Sequence, residues 1–200
     1  MRGFISDMKN KKDNKMLFIL DILKSPEIEY NANNIAKIIK ISSMGSLKIA
    51  KNLEKEGILS SRKIGRANIY KINFSNDYAK QYIKFLLKKE AEKSSPYVKR
   101  WIRELEKIKI ADTIILFGSV LKKEKDSGDI DALIIVNKKN FEKVKKEIES
   151  INLLNDKKIH PIYQTKEDLK KHINERNKVI LNALKGIIVS GEDNIIEVLQ

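Results

Sequence analysis

Two aspartates one residue apart, inside an otherwise apolar run, constrain this chain more than anything else in it. They lie in LFGSVLKKEKDSGDIDALIIV, residues 116–136. Residues 113–119, TIILFGS, read as a strand of mostly branched apolar residues ending at Gly118-Ser119, and residues 129–136, DIDALIIV, read as a second strand. Side chains two apart on a strand point the same way, so Asp129 and Asp131 leave one face while Ile130 enters the core. Neighbouring carboxylates repel unless a cation lies between them. Oxygen ligands suit magnesium, which keeps several waters and completes its shell with substrate phosphates. A Gly-Ser at a strand-to-helix corner can offer backbone N–H groups and a hydroxyl to those phosphates. The pattern predicts a metal-triphosphate site: Asp129 and Asp131 for the ion, Gly118 and Ser119 for the nucleotide.

The first half has a different rhythm. Residues 14–24, NKMLFILDILK, have helical spacing and stop at Ser25-Pro26. Asn31 is suited to cap ANNIAKIIKI, with Ile35, Ile38 and Ile39 on one face. A third helix starts at Ser42 or Ser43, points Leu47, Ala50 and Leu53 inward, and ends where Gly57 can turn left-handed. ILSSRKIGRANIYKIN, residues 58–73, reads as two short strands around a basic tip, with Gly65 free to take positive φ. Two further helices follow, divided by Ser94-Ser95-Pro96. On the second of them Tyr97, Trp101 and Leu105 form one apolar stripe, expected to serve domain packing or a dimer surface.

Charge separates these regions. Residues 1–75 carry 15 basic against 7 acidic side chains, a net +8, and residues 76–110 carry 10 against 5, a net +5. Residues 111–200 carry 16 against 15, a net +1, so the chain's +14 is concentrated in its first half. That asymmetry predicts a polyanionic partner for the first half alone. The 42% hydrophobic and 34% charged fractions describe a folded, charge-rich protein. Without cysteine there are no disulfides or thiolate metal sites. The first sixteen residues are too broken by charge for a signal peptide, and no apolar run approaches membrane-spanning length. A cytoplasmic protein with no membrane partner is expected.

Residues 12–74, three helices and a basic-tipped hairpin, resemble the winged helix-turn-helix family in LEKEGIL…RKIGRANIYKI. The resemblance implies a double-stranded DNA partner. It places Ser43, Ser46, Lys48, Lys51 and Asn52 of the third helix in the major groove, and Arg62, Lys63 and Arg66 of the hairpin on phosphates. An added helix after such a module implies a homodimer.

Gly-Ser, nine residues, then Asp-Ile-Asp between two strands resembles the minimal members of the DNA polymerase beta nucleotidyltransferase superfamily, over about residues 110–199. The ending Gly-Ile-Ile-Val-x-Gly, residues 186–191, is similar to that of archaeal members. The resemblance implies two magnesium ions on Asp129 and Asp131, and transfer of a nucleoside monophosphate from a nucleoside triphosphate to a hydroxyl. The acceptor can be a toxin-like partner protein. The family's usual third carboxylate is missing: on KKIHPIYQT, residues 157–165, the expected position holds His160. Intact Asp129 and Asp131 favour an enzyme; the missing acid favours a transcriptional regulator that senses nucleotide or a partner without turnover. The expected fold class is α+β: a winged helix-turn-helix over 1–75, connecting or dimerisation helices over 76–110, and a small mixed-sheet nucleotidyltransferase domain over 111–200.

Overall fold

The computed structural model describes residues 14–200. The charged stretch weighed above against a signal peptide lies mostly outside the described residues. The chain divides into two compact units, Met1–Leu86 and Leu87–Gln200.

In the first unit, helix α1 (residues 14–24) buries Phe18, Ile19, Ile22 and Leu23, the spacing of one helical face. Asn31 caps helix α2 (Ala32–Ile38) through a capping box: its side chain accepts from Asn34 N while the Asn34 side chain accepts from the Asn31 N–H. The inward residues of α2 are Ile35 and Ala36; Ile38, expected inside, is exposed. At about 100° per residue it lies roughly 60° from Ile35 but about 160° from Ala36, beyond the edge of the buried pair. Ser42 caps helix α3 (Ser43–Lys55), its hydroxyl accepting from Gly45 N at 3.0 Å. Full burial of a residue such as Leu53 contributes roughly 2 kcal/mol. The hairpin is antiparallel, strand β1 (Leu59–Ile64) against strand β2 (Ala67–Ile72), in a register that leaves Gly65 and Arg66 as its two-residue turn. Gly57 and Gly65 take the expected positive φ, 71° and 58°. Tyr30 adds a one-residue bridge to Tyr70, extending the hairpin inward. Three helices followed by an antiparallel hairpin is the order of elements expected from the sequence.

Helix α4 (Asp77–Glu92) carries the boundary between the units. Helix α5 (Pro96–Leu105) opens the second unit proper, capped by the Ser95 hydroxyl with Pro96 in its first turn. Its apolar stripe is not a free face: Trp101 and Leu105 are buried in this unit's own core, and Tyr97 packs against it.

The sheet of the second unit has the order β5-β4-β3-β6, from strands β3 (Thr113–Phe117), β4 (Ile130–Ile135), β5 (Ile159–Gln164) and β6 (Ile187–Ser190). Strand β3 pairs antiparallel with both neighbours, whereas β4 and β5 are parallel. The crossover that a parallel pair needs is helix α7 (Phe141–Leu154). Ile114, Leu116, Ile130, Ala132 and Ile134 face a core shared with α5 and α7. Their alternates face the other side, where helices α8 (Lys166–Asn174), α9 (Lys178–Leu184) and α10 (Glu192–Leu199) pack against the sheet. The short helix α6 (Val120–Lys123) fills the corner after β3. The whole is α+β with a small mixed sheet, as expected.

Candidate functional site

Strand β3 is buried throughout and delivers the chain to Gly118 at φ 84°. Phe117 is the register partner of Asp131, so the corner and the second aspartate are adjacent. A Cβ built on Gly118 would stand 2.0 Å from the Asp131 carboxylate oxygen Oδ2. Only glycine permits both that backbone conformation and that approach. Ser119 follows as the N-cap of α6, and its hydroxyl makes no capping bond. The corner therefore brings Gly118, Ser119 and Asp131 together.

Ile130 is buried in the α5–α7 core, so Asp129 and Asp131 leave on the opposite side of the strand. Asp131 is half-buried, and Asp129, just ahead of β4, is exposed. The parallel register pairs His160 with Asp131, and the His160 ring Nδ1 lies 3.6 Å from Asp129 Oδ2. On β5 the residues on the aspartate side are therefore His160, Ile162 and Gln164. Glu167 and Asp168, the acids that follow β5, are elsewhere. Strand β5 runs away from the site, so Thr165 begins α8 roughly 16 Å beyond His160, at about 3.3 Å per residue. Asp168 is engaged there in the capping box of Thr165, whose hydrogen bonds hold its carboxyl below the usual range. Lys122, Lys123 and Lys125 are exposed.

Whether magnesium fits is a question of donors. Among the described residues no three His, Asp or Glu groups gather tightly enough to hold an ion unaided. Asp129 and Asp131 leave the same side of the strand and Asp131 lies against Gly118, a donor set that suits one magnesium ion sharing its shell with water and phosphate. A second ion would meet the imidazole of His160 where an acid would be needed, a donor magnesium takes poorly.

In the first unit, Ser43, Lys48, Lys51 and Asn52 are exposed on α3, and Arg62, Lys63 and Arg66 on the hairpin. Ser46 is a correction: it is fully buried, with no hydrogen-bond partner for its hydroxyl. It lies four residues before Ala50 and seven before Leu53, hence on the inward stripe. The exposed residues also divide. Ser43 and Arg66 line a groove of about 410 Å³ with Met44, Asn33 and Asn68. Lys48 and Asn52 border another, of about 450 Å³, beside Asn14, Lys15 and Glu56. Arg62 is ion-paired to Glu29. Met44, 75% exposed, was missed by sequence reasoning because an apolar residue in an amphipathic helix reads as core.

Residues 99–185 match the model of a family described as polymerase beta, nucleotidyltransferase. The match begins inside α5, in keeping with that helix's packing. One solved structure is similar over 47% of this chain and 87% of its own, at 15% identity and a TM-score of 0.32. It is the homodimeric winged helix-turn-helix DNA-binding domain, fragment 1–100, of a Mycobacterium bovis protein described as a possible ArsR-family transcriptional regulator. No curated protein matches the chain. Among the described residues no helix is long and apolar enough to cross a membrane.

Proposed function

We propose that the chain is a cytoplasmic DNA-binding protein whose second unit binds a magnesium-nucleoside triphosphate and transfers the nucleoside monophosphate to a hydroxyl, on a partner protein or another acceptor. The observation that carries this reading is the approach of Asp131 to Gly118, which puts an acid against the backbone corner that ends β3. The family match over residues 99–185 supports it. Asp129 and Asp131 would hold the ion, which when bound supplies charge stabilisation to the phosphates. The Gly118 backbone and the Ser119 hydroxyl grip the terminal phosphates. The acceptor oxygen bonds to the α-phosphorus as the bond to the β-phosphate oxygen breaks, and pyrophosphate leaves. The acceptor's proton passes to His160, the side chain that faces the aspartates.

The test is incubation of the full chain with magnesium and α-labelled nucleoside triphosphates, with and without candidate partner proteins. Label should appear on an acceptor, and Asp129→Asn should abolish it. Magnesium-dependent nucleotide binding with no transfer to any acceptor would overturn the enzyme and favour a second reading. That reading, a transcriptional regulator sensing nucleotide or a partner, is favoured by one observation: an imidazole stands where the third acid would be.

For the first unit, the exposed cations of α3 and the hairpin support duplex DNA as the partner. Two copies of the chain on one duplex complete this reading, through a surface other than the buried α5 stripe. Light scattering with and without DNA checks the copy number.

A further inference from the structure

Of the two aspartates, Asp129 is the one less held by the sheet. Asp129 precedes the first residue of β4, and Gly128 before it has open space where a side chain would be. Between β4 and the preceding turn, these two residues have no ladder of their own. What restrains them comes from the two lysines that lead into β5.

The backbone oxygen of Lys158 accepts a hydrogen bond from Ile130 N at 3.0 Å, on the C-terminal side of Asp129. The Lys157 ammonium donates to the backbone oxygens of Lys125 and Ser127, on its N-terminal side. Ser127 is buried, and its own hydroxyl donates to the Glu124 oxygen at 2.7 Å, so the turn the ammonium grips is already closed. The lysine pair is anchored in turn. The Lys158 ammonium donates to the Asn152 and Asn155 oxygens at the end of α7. The Asn152 side chain bonds both backbone groups of Ile159, next to His160.

We infer that Lys157 is a positioning residue: it fixes the turn before Asp129, and so the direction in which that carboxylate meets a metal-bound nucleotide. The inference rests on the proposed nucleotide site. A charged donor satisfies two converging carbonyls more strongly than a neutral one could, and the second of these carbonyls lies two residues before an acid that must not swing away.

The experiment uses the full chain and the variants Lys157→Met and Lys157→Arg. Affinity for magnesium with a non-hydrolysable nucleoside triphosphate is read by calorimetry, backbone protection by hydrogen exchange, and Tm by thermal melting. Lys157→Met should weaken binding roughly ten-fold, as loss of a supporting partner of a metal ligand does, and Lys157→Arg should recover most of it. Exchange should quicken at residues 126–130 and stay unchanged in β3 and β6, with Tm nearly constant. Unchanged affinity in Lys157→Met overturns the inference, as does a loss that follows a general fall in Tm and is not rescued by arginine. Failure of the wild-type chain to bind any metal nucleotide sinks the nucleotide reading instead. In that event the clamp on the turn is judged by exchange alone, and unaltered protection of Ile130 in Lys157→Met overturns it.

Discussion

At Gly118 a backbone conformation and a close approach make the same demand. With φ at 84° and the Asp131 oxygen 2.0 Å from any added methyl, Gly118→Ala must strain the turn and push the carboxylate aside. A left-handed alanine alone costs about 1–2 kcal/mol, equivalent to roughly 2–8 °C in Tm for a chain of this length. The variant is expected to melt lower by about that much and to lose magnesium-dependent nucleotide binding; a melt and a titration on one sample check both. Ser46 predicts the opposite. Its buried hydroxyl has no partner, so Ser46→Ala should leave DNA affinity unchanged and raise stability by up to about 1 kcal/mol. Denaturant titration with a DNA-binding isotherm measures the pair. These two residues also mark how far a residue's role could be read from sequence. The Gly-Ser and Asp-x-Asp spacing was legible because strand alternation is strict and charge in an apolar strand is rare. Ser46 was misplaced because a small polar side chain carries no periodic signal, and the inward stripe of α3 is set by which flank meets α2 and β1.

Helix ends were the most legible elements. Asn31 caps the helix it was expected to cap, and Ser42 and Ser95 cap helices that begin where Ser42-Ser43 and Ser94-Ser95-Pro96 marked a start, since their side chains satisfy N–H groups that a helix leaves open. The partner of α5 was not legible, because an amphipathic stripe states that it must be covered and not by what. What covers it is the β3–β4 face, and a polar seam closes the edge of that packing. Arg100 donates to Asn155 Oδ1 at 3.1 Å, and Asn155 donates to Glu104 Oε2 at 3.1 Å, tying α5 to the end of α7. The hydrogen bond from Lys107, with that from Asn155, holds the Glu104 carboxyl below its ordinary value against the opposing effect of burial. A carboxyl with a lowered folded-state pKa stabilises the fold above its unfolded value and loses that contribution as pH falls through the folded one. Glu104→Gln should therefore be less stable than the parent at pH 7, and the difference should shrink below about pH 4, near and under the ordinary glutamate range. Urea titrations between pH 3 and pH 7 give the curve; a difference that does not change with pH would show that the seam acts through packing rather than charge.

Across the whole chain, the charge is unevenly divided, and its boundary near residue 110 falls inside the second unit. Residues 1–110 hold 25 basic against 12 acidic side chains, while residues 111–200 are nearly balanced at 16 against 15. The division was legible from counting alone. Which cations are free to meet phosphate was not, because Arg62 is held by Glu29 across 33 residues of chain. That pairing gives the DNA reading a numerical consequence. Lys48 and Lys51 of the groove-facing helix, which can meet the phosphates that wall the groove, and Lys63 and Arg66 of the hairpin are four candidate phosphate contacts, and Arg62 becomes a fifth if DNA displaces Glu29. Each contact contributes about −0.9 to the slope of log affinity against log salt, so the slope should lie between about −3.6 and −4.5. Between 50 and 200 mM salt, affinity should then fall roughly 150- to 500-fold. Arg66→Ala should flatten the slope by about 1, as should Arg62→Ala if the fifth contact forms, and Glu29→Gln should steepen a slope that starts near −3.6. Asp129→Asn, which removes an acid from the nucleotide site, should leave the slope where it was. Anisotropy titrations of labelled duplex at four salt concentrations measure all of these. A slope near zero would remove DNA as the partner of the basic half, and a slope altered by Asp129→Asn would mean that the two regions do not act on separate polyanions.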